Sequence, residues 1–188
     1  MKARTDIWKP IEYPGMEYLT LHEEDQSIQV ESVVIGVEDQ SAFRLDYAIR
    51  CDAGYVVQDV QLSLLGGKLL HLTHDGQGNW FDEGRELMPN LKGCTDIDIS
   101  ATPFTNTLPI KRLTWTVGQS ELFHMAWFSI PEMTVHNDAQ RYTCVEQTAS
   151  GAIFRFEQVS SGFTALLSVD ADGLVVNYPG LFERIWAG

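Results

Sequence analysis

Apolar and polar residues alternate with a period of two along much of the chain, as half-buried β-strands require. Residues 43–52 (FRLDYAIRCD) and 55–64 (YVVQDVQLSL) show the pattern most clearly. A two-residue turn at residues 53–54 joins them as a predicted hairpin, whose facing residues lie on one side. The predicted facing pairs are Cys51–Val56, Tyr47–Val60 and Phe43–Leu64.

Further strands follow, separated by glycine-rich turns. Residues 66–67 (GG) and 75–79 (DGQGN) are strong hairpin signals. Residues 121–130 are apolar on both faces, which predicts a central strand covered on each side. The remaining predicted strands are residues 95–100, 141–147, 152–158, 163–169 and 174–177, the last two joined by a turn at 170–173.

Helical spacing is scarce. The best candidate is residues 104–108, which Thr102 could cap and Pro109 would end after one or two turns. The strands outnumber those that one flat sheet holds comfortably. We therefore predict a mainly all-β fold, a many-stranded antiparallel sheet curled into a half-barrel or roll, with residues 1–188 as a single domain.

Charge and cysteine content narrow the function classes. Asp and Glu outnumber Lys and Arg by 26 to 13, giving a net charge of −13 that disfavours nucleic acid and anionic membrane surfaces. No membrane span and no secretory signal are visible. Cys51, Cys94 and Cys144 are widely spaced and odd in number, which predicts reduced, buried thiols and a cytoplasmic location.

The DIDIS stretch, residues 96–100, is the main chemical candidate. Strand alternation places Asp96 and Asp98 on one face, about 7 Å apart, and Ile97 and Ile99 on the other. Paired carboxylates at that separation can perform inverting glycoside hydrolysis or accept hydrogen bonds from sugar hydroxyls. The structural alternative is a solvated strand face above two core isoleucines.

Other motifs give weaker evidence for a functional site. Trp80, with Asp82 just after it, is the best candidate for a ring that stacks on a sugar, although a tryptophan in a β-rich chain is more often core. Trp80 also stands where a calcium loop needs glycine, and the spacing of His71 and His74 does not suit a metal site on a strand. No nucleophile or nucleotide-binding signature is present, so we predict no metal and no cofactor.

Four segments resemble a bacterial family named for glycolipid binding, formerly a domain of unknown function (DUF1089). They are TDIDISATPFTNTLPIKRL, RLDYAIRCDAGY, VQDVQL and DGQGNWFD. The resemblance covers nearly the whole chain. It implies an antiparallel sheet wrapped around a single helix, distantly similar to lipoprotein localisation factors, an acidic pocket and a tight homodimer.

The resemblance also implies site residues. Asp96 and Asp98 match the family's acidic DxD, Thr105 and Asn106 its TN step, Arg112 its basic residue after LPI, and Trp80 with Asp82 its GxWxD turn. Thr105 and Asn106 would offer hydroxyl and amide groups to a headgroup. Arg112 would pair with one of the carboxylates, anchor a phosphate, or form a structural salt bridge.

Three functions stay open from the sequence. The leading hypothesis is a non-enzymatic binder of an amphipathic small molecule such as a glycolipid or sugar conjugate. The second is an enzyme that acts on a carbohydrate or glycolipid, with Asp98 as acid or base and Asp96 as its partner. The third is a structural role for the dimer, with the acids only solvating a face.

Overall fold

One 14-stranded sheet forms the body of the protein in the computed structural model, which describes residues 2–38 and 40–188. The strands are β1 (Lys2–Pro10), β2 (Gly15–Glu23), β3 (Ser27–Glu38), β4 (Ser41–Asp52), β5 (Val57–Leu64), β6 (Leu69–His74), β7 (Trp80–Phe81), β8 (Asp96–Ile99), β9 (Ser120–Ser129), β10 (Thr134–Thr148), β11 (Gly151–Gln158), β12 (Thr164–Asp170), β13 (Val175–Tyr178) and β14 (Phe182–Ala187). The sheet is open and curled, which confirms the predicted fold class.

The order of strands shows two meanders joined in the middle. Strands β1 to β7 follow one another across one half of the sheet, and β9 to β14 across the other. Antiparallel pairing of β1 with β14 connects the halves, so the two ends of the chain meet at the centre of the sheet. Within the described residues, the two outermost strands are β7 and β8.

Strand β8 departs from the predicted antiparallel arrangement, since it pairs in parallel with β9. Parallel neighbours need a long crossover connection, usually through a helix. Residues 100–119 supply it, with a 3-10 helix (Phe104–Asn106) followed by α1 (Thr107–Arg112). The crossover therefore places the helix directly beside the DIDIS strand.

The helix begins as predicted but ends later. Thr102 Oγ1 accepts the Phe104 N–H at 3.0 Å, as expected of a residue that caps a first turn. Pro109 does not stop the helix: it lies in the first turn of α1, where a missing N–H costs nothing, and α1 continues to Arg112. Residues Thr107 to Ile110 are buried.

The predicted β4–β5 hairpin forms, but its predicted register is wrong. Tyr47 faces Leu62 and Cys51 faces Val57, with a bulge between Arg50 and Cys51. The turn is longer than two residues because Asp52 Oδ1 accepts the N–H groups of Gly54 and Val56, at 2.8 and 3.0 Å. The slip at Tyr47 is two residues, an even number, so the same apolar face still points inward.

Strand β9 is also less enclosed than predicted. It lies second from one edge, between β8 and β10. Leu122 is 49% exposed and His124 is exposed, so the first half of the strand is covered on one face only. Ala126 and Phe128 are fully buried, so the second half alone fits the prediction.

Two apolar clusters fill the curl. One lies against the β1–β7 half and includes Ile97 and Ile99, both fully buried. The other lies against β9 to β14 and is rich in aromatic rings. Cys51, Cys94 and Cys144 are buried free thiols, as predicted.

Candidate functional site

A cavity of ≈ 300 Å³ opens between the start of the helix and strands β8, β9, β11, β13 and β14. Its lining has two chemically distinct walls. Polar side chains from β8, the helix start and β11 form one wall, and aromatic rings form much of the other. The principal lining residues are Asp98, Thr102, Asn106, Gln158, Trp127, Phe156, Phe163, Tyr178 and Phe182.

The aromatic wall is a continuous set of ring contacts. Phe156, Phe163 and Tyr178 form a triangle with centroid separations of 6.2, 6.3 and 5.9 Å, and Phe182 lies 6.3 Å from Tyr178. Phe163 is 38% exposed, whereas the other three are buried. The wall thus presents ring surface at its open side and is fixed by packing behind it.

Asp98 is the carboxylate of the polar wall. Its Oδ1 accepts a hydrogen bond from Thr105 Oγ1 at 2.9 Å, and its Oδ2 accepts one from Gln140 Nε2 at 2.6 Å. Burial raises the pKa of Asp98, the two hydrogen bonds oppose that shift, and nearby Asp138 adds to it. Each carboxylate oxygen has further lone-pair capacity, so Asp98 can still accept a donor from a ligand.

A second carboxylate lies behind the first. Asp138 accepts hydrogen bonds from Gln158 Nε2 at 2.9 Å and Ser160 Oγ at 2.6 Å. Gln140 Nε2 also lies 3.3 Å from Asp138 Oδ2, so one amide group bridges the two acids. The polar wall is therefore a connected network that runs from Ser160 to Asp98.

The helix start holds the remaining polar groups in place. Asn106 Oδ1 accepts the Tyr142 hydroxyl at 2.8 Å, and its Nδ2 donates to the Pro103 carbonyl at 3.0 Å. Thr105 Oγ1 donates to Asp98 and also accepts the Ile99 N–H at 3.3 Å. The structure therefore brings Asp98, Thr105 and Asn106 together at the helix start, where Asp98 and Asn106 line the cavity and Thr105 contacts Asp98 without lining it.

Glu17 ties this end of the site to the other half of the sheet. Its Oε1 accepts hydrogen bonds from Ser32 Oγ at 2.8 Å, the Tyr47 hydroxyl at 2.6 Å and Thr102 Oγ1 at 2.9 Å. Its Oε2 is buried without a hydrogen-bond partner. Thr102 lines the cavity, so a carboxylate of β2 positions part of the lining.

Asp96 and Arg112 form a salt bridge beside the cavity and do not line it. Arg112 donates to Asp96 Oδ2 at 2.6 Å, and the Asp96 side chain is fully buried. Burial raises the pKa of Asp96, and the charge of Arg112 opposes this shift. The Arg112–Asp96 contact fits both the predicted pairing with a carboxylate and the predicted structural salt bridge.

Trp80 and Asp82 lie away from this cavity. Trp80 is fully buried, and its Nε1 donates to the Cys94 carbonyl at 2.9 Å. Its ring stacks on that of His74, with 4.6 Å between the ring centroids. Asp82 accepts the Glu86 N–H at 2.9 Å in the turn after β7. Trp80 therefore packs the core and has no free face for a sugar ring.

The two histidines near this turn have protein partners. His71 Nε2 lies 2.8 Å from Asp59 Oδ2. His74 Nδ1 donates to the Val57 carbonyl, since its Nε2 accepts the Gly78 N–H. Among the described residues, no group of three or more His, Cys, Asp or Glu could hold a metal ion.

Sequence reasoning missed most of the cavity. The aromatic wall and the Asp138–Gln140 extension come from residues 138–182, where the sequence predicted only strand alternation. One signal was present: in residues 138–142, polar Asp138 and Gln140 precede Tyr142 at every second position. That spacing places all three on one face of a strand.

A larger groove, ≈ 480 Å³, lies on the opposite face of β2 to β6. It is lined by exposed Tyr18 and Leu69 together with polar residues such as Glu31 and Asp46. Asp46 is already paired with Arg44 at 2.8 Å. The inner cavity is the better candidate because its polar groups are held by a buried network and face an aromatic wall.

The fold and the cavity define a curled antiparallel sheet that holds a short helix and a small interior site, polar on one side and aromatic on the other. A family model described as "Putative glycolipid-binding" matches residues 5–184, and the chain belongs to this family. This match confirms the resemblance found in the sequence.

A solved structure supports the same assignment. It is the 1.80 Å crystal structure of a DUF1089 family protein from Pseudomonas aeruginosa, 36% identical in sequence, with a TM-score of 0.79. The match covers 90% of this chain and 92% of the other. The search of curated proteins gave no match. No helix among residues 2–38 and 40–188 is long and apolar enough to cross a membrane.

Proposed function

We propose that this protein binds, without catalysis, an amphiphile with a hydroxylated headgroup, such as a glycolipid, in the cavity at Asp98. The observation that carries the proposal is the division of the cavity into two walls. Sugar rings have polar edges and apolar faces, so they match a carboxylate and amides on one side and aromatic rings on the other. The family description points in the same direction.

The size of the cavity limits what it encloses. Ligand pockets usually span about 300 to 1,000 Å³, and the inner cavity, at ≈ 300 Å³, is at the lower end. Each buried methylene contributes about 0.8 kcal/mol, so a binder of long acyl chains needs a long groove. We therefore assign the headgroup to this cavity and leave most of the chain outside it.

Hydrolysis by paired carboxylates has less support. Of Asp96 and Asp98, only Asp98 lines the cavity, because Asp96 is fully buried against Arg112. Inverting hydrolysis needs two carboxylates on either side of the substrate bond, with room for water. The arrangement favours binding.

Phe163→Ala should weaken binding of n-octyl β-D-glucoside by about 1 to 1.4 kcal/mol, roughly five- to tenfold in Kd, because it removes an exposed ring of the aromatic wall. Isothermal titration calorimetry below the micelle concentration gives the Kd. Phe163 is the most exposed of the four rings of this wall, so its substitution should cost the fold less than substitution of Phe156, Tyr178 or Phe182.

Tyr18→Ala is the matched control, since it removes a 50% exposed ring from the outer groove. Its Kd should equal that of the parent. A loss of affinity in Tyr18→Ala with none in Phe163→Ala would move the site to the outer groove. No heat of binding from this and related glycosides would contradict the proposal.

A homodimer and a cytoplasmic location remain predictions. The outer face of the sheet offers apolar surface for a dimer, since Met16, Tyr18 and Ile35 are each about half exposed. We expect sedimentation equilibrium to give twice the 21.2 kDa chain mass. The chain mass itself would contradict the dimer.

A further inference from the structure

The acids of the polar wall lack cationic partners. Among residues 2–38 and 40–188, the hydrogen-bond donors to Asp98 and Asp138 are all neutral, namely Thr105, Gln140, Gln158 and Ser160. Neither carboxylate has a salt bridge with any described residue. The described residues therefore supply no cation to Asp98 in the cavity lining or to Asp138 behind it.

Two other buried aspartates have cationic partners, whereas buried Glu17 of β2 resembles Asp98 in accepting hydrogen bonds from the hydroxyl groups of Ser32, Tyr47 and Thr102 and in forming no salt bridge with a described residue. Asp6 is fully buried and contacts Arg4 and Arg184, and Asp96 is fully buried and contacts Arg112. Buried charge is costly unless it is paired. The uncompensated pair occurs where the chain also leaves a cavity.

An unpaired acceptor accompanies these acids. Gln140 is fully buried, and its Oε1 has no hydrogen-bond partner. Its Nε2 lies between the two carboxylates, and this fixes the orientation of the amide because the oxygen in that place would be repelled. The cluster of Asp98, Asp138 and Gln140 is therefore rich in acceptors and short of donors.

The described residues that line the cavity likewise include no cationic side chain. The described lining residues include one carboxylate and no lysine, arginine or histidine. A phosphate, sulfate or carboxylate headgroup would meet Asp98 without a compensating cation, which is unfavourable in a site of low dielectric. A cation would be attracted by Asp98 and by the faces of the aromatic rings.

We propose that the headgroup carries a protonated amine, as in an amino sugar, which donates hydrogen bonds to Asp98 and occupies the aromatic cavity. This inference rests on the proposed function, because it specifies the ligand of the same site. The amine supplies the donors and the positive charge that the cluster lacks. Anionic amphiphiles are excluded by the same charges.

Three n-octyl glycosides that differ at one position test this inference at pH 7. They are the β-D-glucoside, the 2-amino-2-deoxy-β-D-glucoside and the N-acetyl form of the latter. Calorimetry on the full chain should show the amine binding about tenfold or more tightly than the other two, the ratio that one charge-assisted hydrogen bond supplies. Asp98→Asn should bring the three Kd values together.

Asp25→Asn is the matched control, because it removes the same charge from an exposed position between β2 and β3. It should keep the preference for the amine. Circular dichroism shows whether Asp98→Asn is folded. If the variant does not fold, the ratio of the parent's Kd values for the three glycosides still tests the inference. Equal affinities of the parent for all three glycosides would overturn the amine inference and leave the proposed function standing. Binding of none would contradict both.

Discussion

Asp6→Asn is expected to lower the free energy of unfolding by about 2 to 3 kcal/mol, because it removes one of the two carboxylates that the largely buried Arg4 and Arg184 share. Asp6 is fully buried on β1, where Arg4 contacts both of its carboxylate oxygens at 2.6 and 2.9 Å. Arg184 of β14 lies 3.1 Å from Asp6 Oδ1. Asp170 accepts from both arginines at 2.6 Å.

The expected loss is large because of where the cluster lies. Pairing of β1 with β14 is the joint between the two meanders of the sheet. The side chains of Arg4 and Arg184 are only 14% and 12% exposed, so water cannot readily replace the lost carboxylate. Urea unfolding of parent and variant measures the difference.

Asp46→Asn is the control for this experiment. Asp46 also pairs with the arginine two residues before it on a strand, Arg44, but both side chains are more than 40% exposed. An exposed pair contributes about 0 to 1 kcal/mol, so we expect a change in that range. Equal losses in Asp6→Asn and Asp46→Asn would mean that burial of the cluster contributes nothing.

Glu17→Gln is expected to remove a pH dependence of stability worth about 3 kcal/mol between about pH 4.5 and pH 7. Burial raises the pKa of Glu17 to about 7 from an ordinary value of 4.5, against the opposing effect of three hydroxyl donors. The folded protein therefore holds a proton on this group over a range in which the unfolded chain has released it.

The sign follows from the proton count. Where the folded state binds more protons, stability falls as pH rises. The contribution of Glu17 is thus fully present below about pH 4.5 and is lost as the pH passes through about 7. Glutamine keeps an oxygen that accepts from Ser32, Tyr47 and Thr102, and it does not titrate. The free energy of unfolding of the variant therefore increases relative to that of the parent as the pH rises.

Urea unfolding at several pH values from 4.5 to 8 measures this gain. Glu31→Gln, at an exposed position on β3, serves as the control and should give curves parallel to those of the parent. Parallel curves for Glu17→Gln as well would show that the Glu17 carboxyl titrates as it does in the unfolded chain.

Alternation was a reliable guide to which face of a strand is buried. Leu45, Tyr47 and Ile49 are all buried, as the pattern of β4 predicted, and so are Ile97 and Ile99 of β8. Pairing partners were less predictable, because turn length sets the register. The positive φ of Tyr55 and the Asp52 hydrogen bonds in the β4–β5 turn illustrate this.

The sequence anticipated the lining of the candidate cavity only near the helix. Asp98, Thr105 and Asn106 are close in sequence, and the crossover brings them together locally. Trp80 follows a glycine-rich turn, and a turn often leaves the next side chain exposed. Whether the ring is exposed depends on tertiary packing, and here His74 covers it. The aromatic wall comes from strands far along the chain and has no local signature.

The sequence by itself determined the β-class of this protein, the inward faces of its strands and the family to which it belongs, because side-chain alternation and short motifs are local properties. Only the tertiary structure decided that Asp98 reaches a cavity while Asp96 is neutralised by Arg112. The two acids are equivalent in the pleat of one strand. The curl of the sheet and the placement of the helix give them different neighbours, and these are set by contacts between distant residues.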